Sequence, residues 1–207
     1  MSMPYPRIRI VAKNGCLVAR EGLSLTFFMR RTHQEVAQPV QLALEAYLRG
    51  IGPGSLGWYI DDEGEYQPLD EAGWALIRHQ LHESSGVIIQ LYDSPESGEP
   101  YRFVYYGKDL LHSSWPDKRD ATCAMSCWLP TEFLEEHGPD RVRELALAIA
   151  TPLPLCSGYV GLSFNGDLDL VGVEQRIAPY CFPYPAIDIP NLESLGSRLV
   201  TRFRAAA

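Results

Sequence analysis

Three acidic residues in the last quarter of the chain have the donor type and the closeness in sequence that a divalent cation needs. Asp167 and Asp169 follow the turn dipeptide Asn165-Gly166, and Glu174 comes shortly after them. Carboxylate oxygens are the ligands of hard cations, and a metal bound there could activate water for hydrolysis. Acidic residues at the N-terminus of a helix explain the same pattern, and no metal-loop signature accompanies the three residues.

Two other pairs have metal-ligand chemistry but incomplete ligand sets. His79 and His82 lie three residues apart on a predicted helix, and Cys123 and Cys127 point to the same side of a predicted strand. Neither pair has further ligands at the spacing of a zinc site. A solvated helix face and buried small side chains therefore explain them better.

The segment GPGSLG at 52–57 matches the glycine spacing of dinucleotide-binding loops. Such a loop binds phosphate only where it follows a strand and begins a helix, whereas here it follows a predicted helix and leads into a predicted strand. It is interpreted as a glycine-rich connection. Since no nucleophile elbow, zinc-protease motif or phosphate-binding loop occurs either, no catalytic residue, metal site or cofactor is predicted.

Negative charge is concentrated in one short stretch. Residues 61–100 contain ten acidic side chains and one basic side chain, Arg78, in a chain of net charge −8. The acidic residues cluster in two predicted turns, DDEGE at 61–65 and DSPESGE at 93–99. Such loops attract cationic partners over long range and repel nucleic acid. A solvated, solubilising face is the alternative interpretation.

The elements that position these residues predict an α+β fold with a mixed or mainly antiparallel sheet and flanking helices. The predicted strands are 23–30, 57–60, 87–92, 101–106, 121–129 and 158–164, and the predicted helices are 36–49, 70–82, a short one capped by Thr131, and one opened by Pro139 and Asp140. In the first helix Pro39 suits the first turn and Gly50 the stop. The proline-rich tail excludes a long helix or a central strand.

The order of predicted elements repeats, which predicts a single domain, 1–207, with related internal halves at about 15–107 and 108–207. One hypothesis is that strands 57–60 and 87–92 are parallel neighbours, joined by the 70–82 helix as a right-handed crossover. Both acidic loops would then share one edge of the sheet. A short return strand after Glu65 would weaken that geometry.

The bulk composition suits a cytoplasmic protein. The five cysteines are odd in number and scattered, which does not describe a disulfide framework. No apolar run reaches the roughly 18–20 residues of a membrane span, and the N-terminus lacks the pattern of a signal peptide.

Several long motifs resemble the bacterial family of type VI secretion immunity proteins. They are GPGSLGWYIDDEGEYQPLDEAGW at 52–74, YYGKDLLHSSWP at 105–116, WLPTEFLEEHGPDRVRELALAIA at 128–150, PLPLCSGYVGLSFN at 152–165 and FPYPAIDIPNLE at 182–193. The family pattern continues past a segment like LGSRLVTRF at 195–203, so the chain is expected to be a shorter member or to lack its last part. The resemblance implies a protein that binds and neutralises a toxin without being an enzyme itself. The toxins partnered with this family include nucleases of restriction-endonuclease-like fold.

Chemistry and resemblance together predict the toxin-binding residues. A nuclease groove is basic because it binds phosphate, so acidic loops that occupy it gain in rate and specificity, while aromatic anchors supply affinity. The predicted toxin-binding residues are Asp61, Asp62, Glu63, Glu65, Tyr66, Asp93, Glu96, Glu99 and Trp115. No nucleic acid, membrane or cofactor is expected as a partner. The alternatives are a small metal-dependent hydrolase using Asp167, Asp169 and Glu174, and an adaptor or chaperone for a secreted effector.

Overall fold

The computed structural model describes residues 5, 7–83, 86–95, 100–108, 122–166 and 172–181. The strands are β1 (Arg9–Val11), β2 (Leu17–Met29), β3 (Trp58–Ile60), β4 (Tyr66–Pro68), β5 (Val87–Tyr92), β6 (Arg102–Gly107), β7 (Cys123–Pro130) and β8 (Ser157–Gly166). The helices are α1 (His33–Ile51), α2 (Glu71–Glu83), α3 (Thr131–Ala150) and α4 (Val173–Cys181). The predicted α+β class is confirmed. None of the helices in the described residues is long and apolar enough to cross a membrane.

All eight strands form one antiparallel sheet. Its order runs β2-β7-β6-β5-β3-β4, with β1 and β8 both paired to β2. Strand β8 pairs Ala19–Phe28 of β2, while β1 pairs its first residues and β7 pairs Gly22–Met29. Because β8 and β1 share partners on β2, they lie on its opposite sides. Strand β8 is therefore at one end of the sheet and β4 is at the other.

The long strand β2 is the centre of the fold. It has 13 residues, several more than the 23–30 predicted, and twelve of them are buried. The odd-numbered apolar side chains from Leu23 to Met29 lie in the main core together with residues of α1, α2 and α3. On the other face the hydroxyls of Ser24, Thr26 and Ser126 hydrogen-bond to one another at 2.9–3.1 Å and are fully buried. Mutual hydrogen bonding offsets the cost of burying them.

Helix α1 begins earlier than predicted. Thr32 caps it, because its hydroxyl accepts from the Glu35 amide while the Glu35 carboxylate accepts from the Thr32 amide, a reciprocal capping box. Pro39 therefore lies inside the helix and not in its first turn, and the helix continues through Gly50 to Ile51 and is capped by Gly52, whose φ is 105°. The predicted placements of Pro39 and Gly50 are wrong.

Helices α2 and α3 confirm most of what their sequences indicate. Asp70 caps α2 by accepting from the Gly73 amide at 2.9 Å, and Ile77 and Leu81 are buried while Trp74 is half-buried. Helix α3 is interrupted at Gly138, where φ is 78°, so the two predicted helices are adjoining segments. Thr131 does not cap the first one, because Pro130 occupies that position.

The structure decides between the two strand arrangements considered from the sequence, and it contradicts the turn predicted at 165–166. Strand β3 is antiparallel to β5, with Trp58 opposite Tyr92, because the return strand β4 follows the acidic turn. Asn165 and Gly166 do not form an exposed turn, since Asn165 is buried in β8 and its side chain accepts from the Ser163 hydroxyl at 2.6 Å. The relation between the two halves stays a prediction.

Candidate functional site: the acidic β3–β4 hairpin

The turn between β3 and β4 is the acidic segment 61–65. The Asp61 amide donates to the Glu65 carbonyl at 3.0 Å, and the Gly64 amide donates to the Asp61 carbonyl at 3.1 Å. Gly64 has a φ of 86°, in the left-handed region that favours glycine. The chain therefore reverses within five residues and returns as β4, at the far edge of the sheet from β8.

Asp61 stabilises this turn from inside. Its Oδ1 accepts from the amides of Glu63 and Glu65 at 3.0 and 2.9 Å, and its Oδ2 accepts from the Gln67 side chain at 2.8 Å. The Glu65 amide and then the Gln67 side chain hold the pKa of the Asp61 carboxyl below its usual value, because both bonds favour the charged form. Asp61 was predicted as a toxin contact, but it is half-buried and its carboxylate is occupied.

The other three acidic side chains of the turn are free to meet a partner. Asp62, Glu63 and Glu65 are exposed, and no ion pair within the described part of the chain includes them. Elsewhere carboxylates are neutralised, as where Arg9 and Arg20 both pair with Glu132. The hairpin thus presents three uncompensated negative charges on a hydrogen-bonded turn.

An aromatic ladder lies beside the turn, on the sheet face away from α1, α2 and α3. Tyr66 is the first residue of β4 and not a loop residue as predicted, and its ring packs edge-on against Tyr92 with centroids 5.2 Å apart. The guanidinium of Arg102 lies 4.5 Å from the Tyr92 ring centroid and 4.7 Å from that of Trp128. Gln90 Oε1 accepts from the Tyr92 hydroxyl at 2.5 Å and from Arg102 at 3.0 Å. Tyr66 is therefore held on a rigid support.

Sequence reasoning missed Arg102. Its position opposite both Tyr92 and Trp128 depends on the register between β5, β6 and β7. The eight residues between the predicted strands 87–92 and 101–106 do not fix that register. An arginine at the start of a predicted strand with aromatic residues on its neighbours was the available signal.

Asp93 lies away from the acidic turn. Since β3 and β5 are antiparallel, Asp93 is beside the beginning of β3, whereas the turn is beyond its end. Burial raises the pKa of the half-buried Asp93 carboxyl to about 6, and its buried Oδ1 has no hydrogen-bond partner among the described residues. The structure therefore does not bring Asp93 together with Asp62, Glu63 and Glu65. Glu96, Glu99 and Trp115 are outside the described residues.

The other candidate ligand sets do not form a metal site in the described residues, where no group of three His, Cys, Asp or Glu side chains is suitably placed. His82 Nε2 is instead hydrogen-bonded to Gln41 Oε1 at 2.6 Å. Asp167 and Asp169 are outside the described residues, as is the side chain of Glu174. The GPGSLG segment joins α1 to β3, as its interpretation as a connection required.

Cys123 and Cys127 are fully buried, as expected for small apolar side chains. Burial raises the pKa of both thiols, which disfavours the reactive thiolate.

Near Cys123, the Tyr105 hydroxyl and His33 Nδ1 are hydrogen-bonded at 2.9 Å, and burial lowers the pKa of the His33 imidazole. This buried group was also missed, because His33 precedes the predicted start of α1.

Helices α1 and α2 enclose a groove of about 280 Å³. Its floor is apolar, with Leu44, Ile77 and Leu81, and its rim carries Glu45 and Arg78. The charges on its rim are of both signs and specify no ligand.

Comparisons with known proteins agree with the motifs quoted above. The model of a family described as type VI immunity for VRR-NUC (TsiV) matches residues 39–207. The solved structure of Pseudomonas aeruginosa T6SS protein PA0821 is similar in fold, with a TM-score of 0.68 and 16% identity over 92% of this chain and 55% of that one. This chain thus spans about half the length of PA0821, and no curated protein matches it. Because the family match covers most of its residues, the chain belongs to the type VI immunity family for VRR-NUC nuclease effectors.

Proposed function

We propose that this protein binds a VRR-NUC nuclease effector in the cytoplasm and blocks its substrate groove with the β3–β4 hairpin. The observation that carries the proposal is a set of three exposed carboxylates, those of Asp62, Glu63 and Glu65, which form no ion pair within the described residues and lie on a turn braced by Asp61. A groove that binds phosphate is basic, so these carboxylates take the place of phosphates. Inhibition then requires binding and no catalysis.

The hairpin has the two components that a tight interface needs. Carboxylates steer a cationic partner and raise the association rate. Tyr66, held against Tyr92 beside the turn, supplies a rigid aromatic contact of the kind that contributes most to affinity. Because the turn is already hydrogen-bonded, little conformational freedom is lost on binding.

The test is charge reversal at the exposed positions only. In the triple variant Asp62→Lys, Glu63→Lys and Glu65→Lys, the association rate with the effector should fall at least about tenfold at low salt. The difference from the unmodified protein should shrink as the ionic strength approaches about 1 M, where charges are screened beyond about 3 Å. Stopped-flow association at two ionic strengths, beside a melting curve, measures both effects.

A matched control makes the same change of net charge on α3. Glu136, Asp140 and Glu144 are exposed, and their replacement by Lys should alter the association rate much less. A second variant, Asp61→Ala, removes the brace with little change in charge. It should weaken binding and lower the melting temperature, whereas Asp62→Ala should leave the melting temperature unchanged. Equal effects of the hairpin and α3 reversals would show that only net charge matters and would contradict the proposal.

A further inference from the structure

The two ends of the sheet differ in how their outer strands are protected. Strand β4 has three residues, ends in Pro68 and follows the acidic turn, and short length, proline and charge all discourage pairing with another chain. Strand β8 has ten residues, Ser157–Gly166, with no charged residue and no proline. Within the described residues β8 pairs only with β2.

The accessible part of β8 is its first half. Ser157, Gly158 and Val160 are exposed, with Val160 at 43%, whereas Ser163, Phe164 and Asn165 are at most 1% exposed. Val160 is opposite Leu25 of β2, so its side chain is on the helix-covered face but beyond the helices. A long, neutral, partly apolar edge is a template for another strand.

We propose that a second copy of this chain pairs with β8 in antiparallel fashion, across a two-fold axis near Val160. In that register Val160 faces Val160 of the second chain, Gly158 faces Leu162, and Tyr159 faces Gly161. A β-branched pair and an aromatic ring across from a glycine are both favourable cross-strand combinations. The contact is isologous, so it closes at two chains and does not continue into a fibre.

The distribution of charge favours a second copy over a cationic partner. Each chain has a net charge of −8, and ten acidic residues are in the 61–100 stretch, which supplies β3, β4 and β5 at the other end of the sheet. Two chains that meet at β8 keep these stretches far apart, and the neutral strand offers a basic effector no electrostatic gain. The dimer leaves one acidic hairpin free on each chain.

The pairing region covers about six residues a side, which makes a small interface of the transient class. A dissociation constant in about the micromolar range is expected, and sedimentation velocity from about 1 µM to about 1 mM brackets it. The sedimentation coefficient should rise from the monomer to the dimer value.

Val160→Lys places a charge on the edge of β8 and should keep the chain monomeric. Leu147→Lys is the matched control, because Leu147 is 57% exposed on α3 and should leave the dimer intact.

Crosslinking tests the register. Directly opposed Cα atoms in antiparallel strands are about 4.5–5.5 Å apart, within the span of a disulfide. With Cys16, Cys156 and Cys181 replaced by Ser, Val160→Cys should form a covalent dimer on mild oxidation. Val11→Cys, at an equally exposed site on β1 (47%), should not.

Three results would overturn the proposal. The chain could stay monomeric throughout the concentration range, or Val160→Lys could dimerise like the unmodified protein. Alternatively, Val160→Lys could abolish effector binding in a chain that is always monomeric, which would assign the β8 edge to the effector.

Discussion

Asp61 and Asp93 belong to the same acidic stretch, but their carboxyl groups lie in opposite environments. Asp61 accepts three hydrogen bonds that favour its charged form, whereas Asp93 is half-buried and its Oδ1 has no partner within the described part of the chain. Burial raises the Asp93 pKa from 3.8 to about 6, so the folded protein holds that proton more tightly than the unfolded chain does. The Asp93 contribution to stability is therefore complete below pH 3.8 and is lost as the pH rises through about 6.

We expect Asp93→Asn to stabilise the protein at neutral and alkaline pH, because the amide has no charge to desolvate. For a fully buried group a rise of this size corresponds to about 3 kcal/mol. Solvent around the half-buried side chain reduces this to about 1 kcal/mol, which raises the melting temperature by about 2–4 °C in a chain of this length. Melting curves at about pH 8 and at about pH 4 measure the gain and its decline toward acid.

Asp62→Asn is the control for this pH dependence, because the Asp62 carboxyl is exposed and should give no such gain. A melting temperature that rises equally at both pH values would show that the Asp93 charge is not the cause. A fall at pH 8 would show instead that the ionised carboxylate stabilises the fold.

The sequence predicted which residues of the acidic turn carry charge but not which of them are available. Composition identifies the turn at 61–65, while the three hydrogen bonds of Asp61 depend on the local path of the chain. The remaining predicted contacts, Glu96, Glu99 and Trp115, stay predictions.

Among the elements, the three-residue strand β4 decided the sheet topology. The helix between residues 70 and 82 was expected to join parallel strands, and α2 does so, because β4 and β5 are both antiparallel to β3 and therefore parallel to each other. The expectation assigned the crossover to β3, since Tyr66–Pro68 is too short and too polar to predict as a strand. The helices α1 and α2 were predicted from sequence because burial of one face imposes a helical periodicity on their apolar residues.

At this scale a glycine in α1 has a packing role that can be tested. A Cβ on Gly50 would lie 2.4 Å from Leu145 Cδ1 of α3, so the buried Leu145 side chain must shift to admit a larger residue. We expect Gly50→Ala to destabilise the protein by about 1–3 kcal/mol, the usual cost of overpacking, although alanine favours a helix by about 1 kcal/mol. Urea unfolding measures the change.

Gly54→Ala is the control, because a Cβ there meets no atom within 4 Å, and it should be neutral or slightly stabilising. The double variant Gly50→Ala with Leu145→Ala should recover part of the overpacking cost, and the coupling follows from a double-mutant cycle. Additive effects would mean that the two residues do not crowd each other.

For the whole molecule, the acidic hairpin and the neutral strand β8 lie at opposite ends of one sheet. The concentration of charge at one end was visible in the sequence, because it depends on composition alone. The neutral edge was not, since β8 had been predicted without its neighbours. This separation allows the proposed effector contact and the proposed contact between copies to exist together.

Inhibition by binding differs from an enzymatic mechanism in its stoichiometry. A protein that occupies the effector groove protects one effector per chain, so residual nuclease activity should fall linearly with added protein and vanish near equimolar amounts. A hydrolase would act well below equimolar amounts. The purified protein alone should show no hydrolase activity, with or without added divalent metal. Titration of effector activity at a concentration well above the dissociation constant gives the equivalence point directly.

Variants of the sequence-derived metal site complete this test. Asp167→Asn with Asp169→Asn removes two of the three acids that the hydrolase alternative requires. Since binding through the hairpin does not use them, the equivalence point and the protection of co-expressing cells should be unchanged. The triple hairpin variant with Lys at 62, 63 and 65 should instead need excess protein and protect poorly. Loss of protection in the folded Asp167 and Asp169 variant, with the hairpin variant still protective, would favour the metal-dependent hydrolase over inhibition by binding.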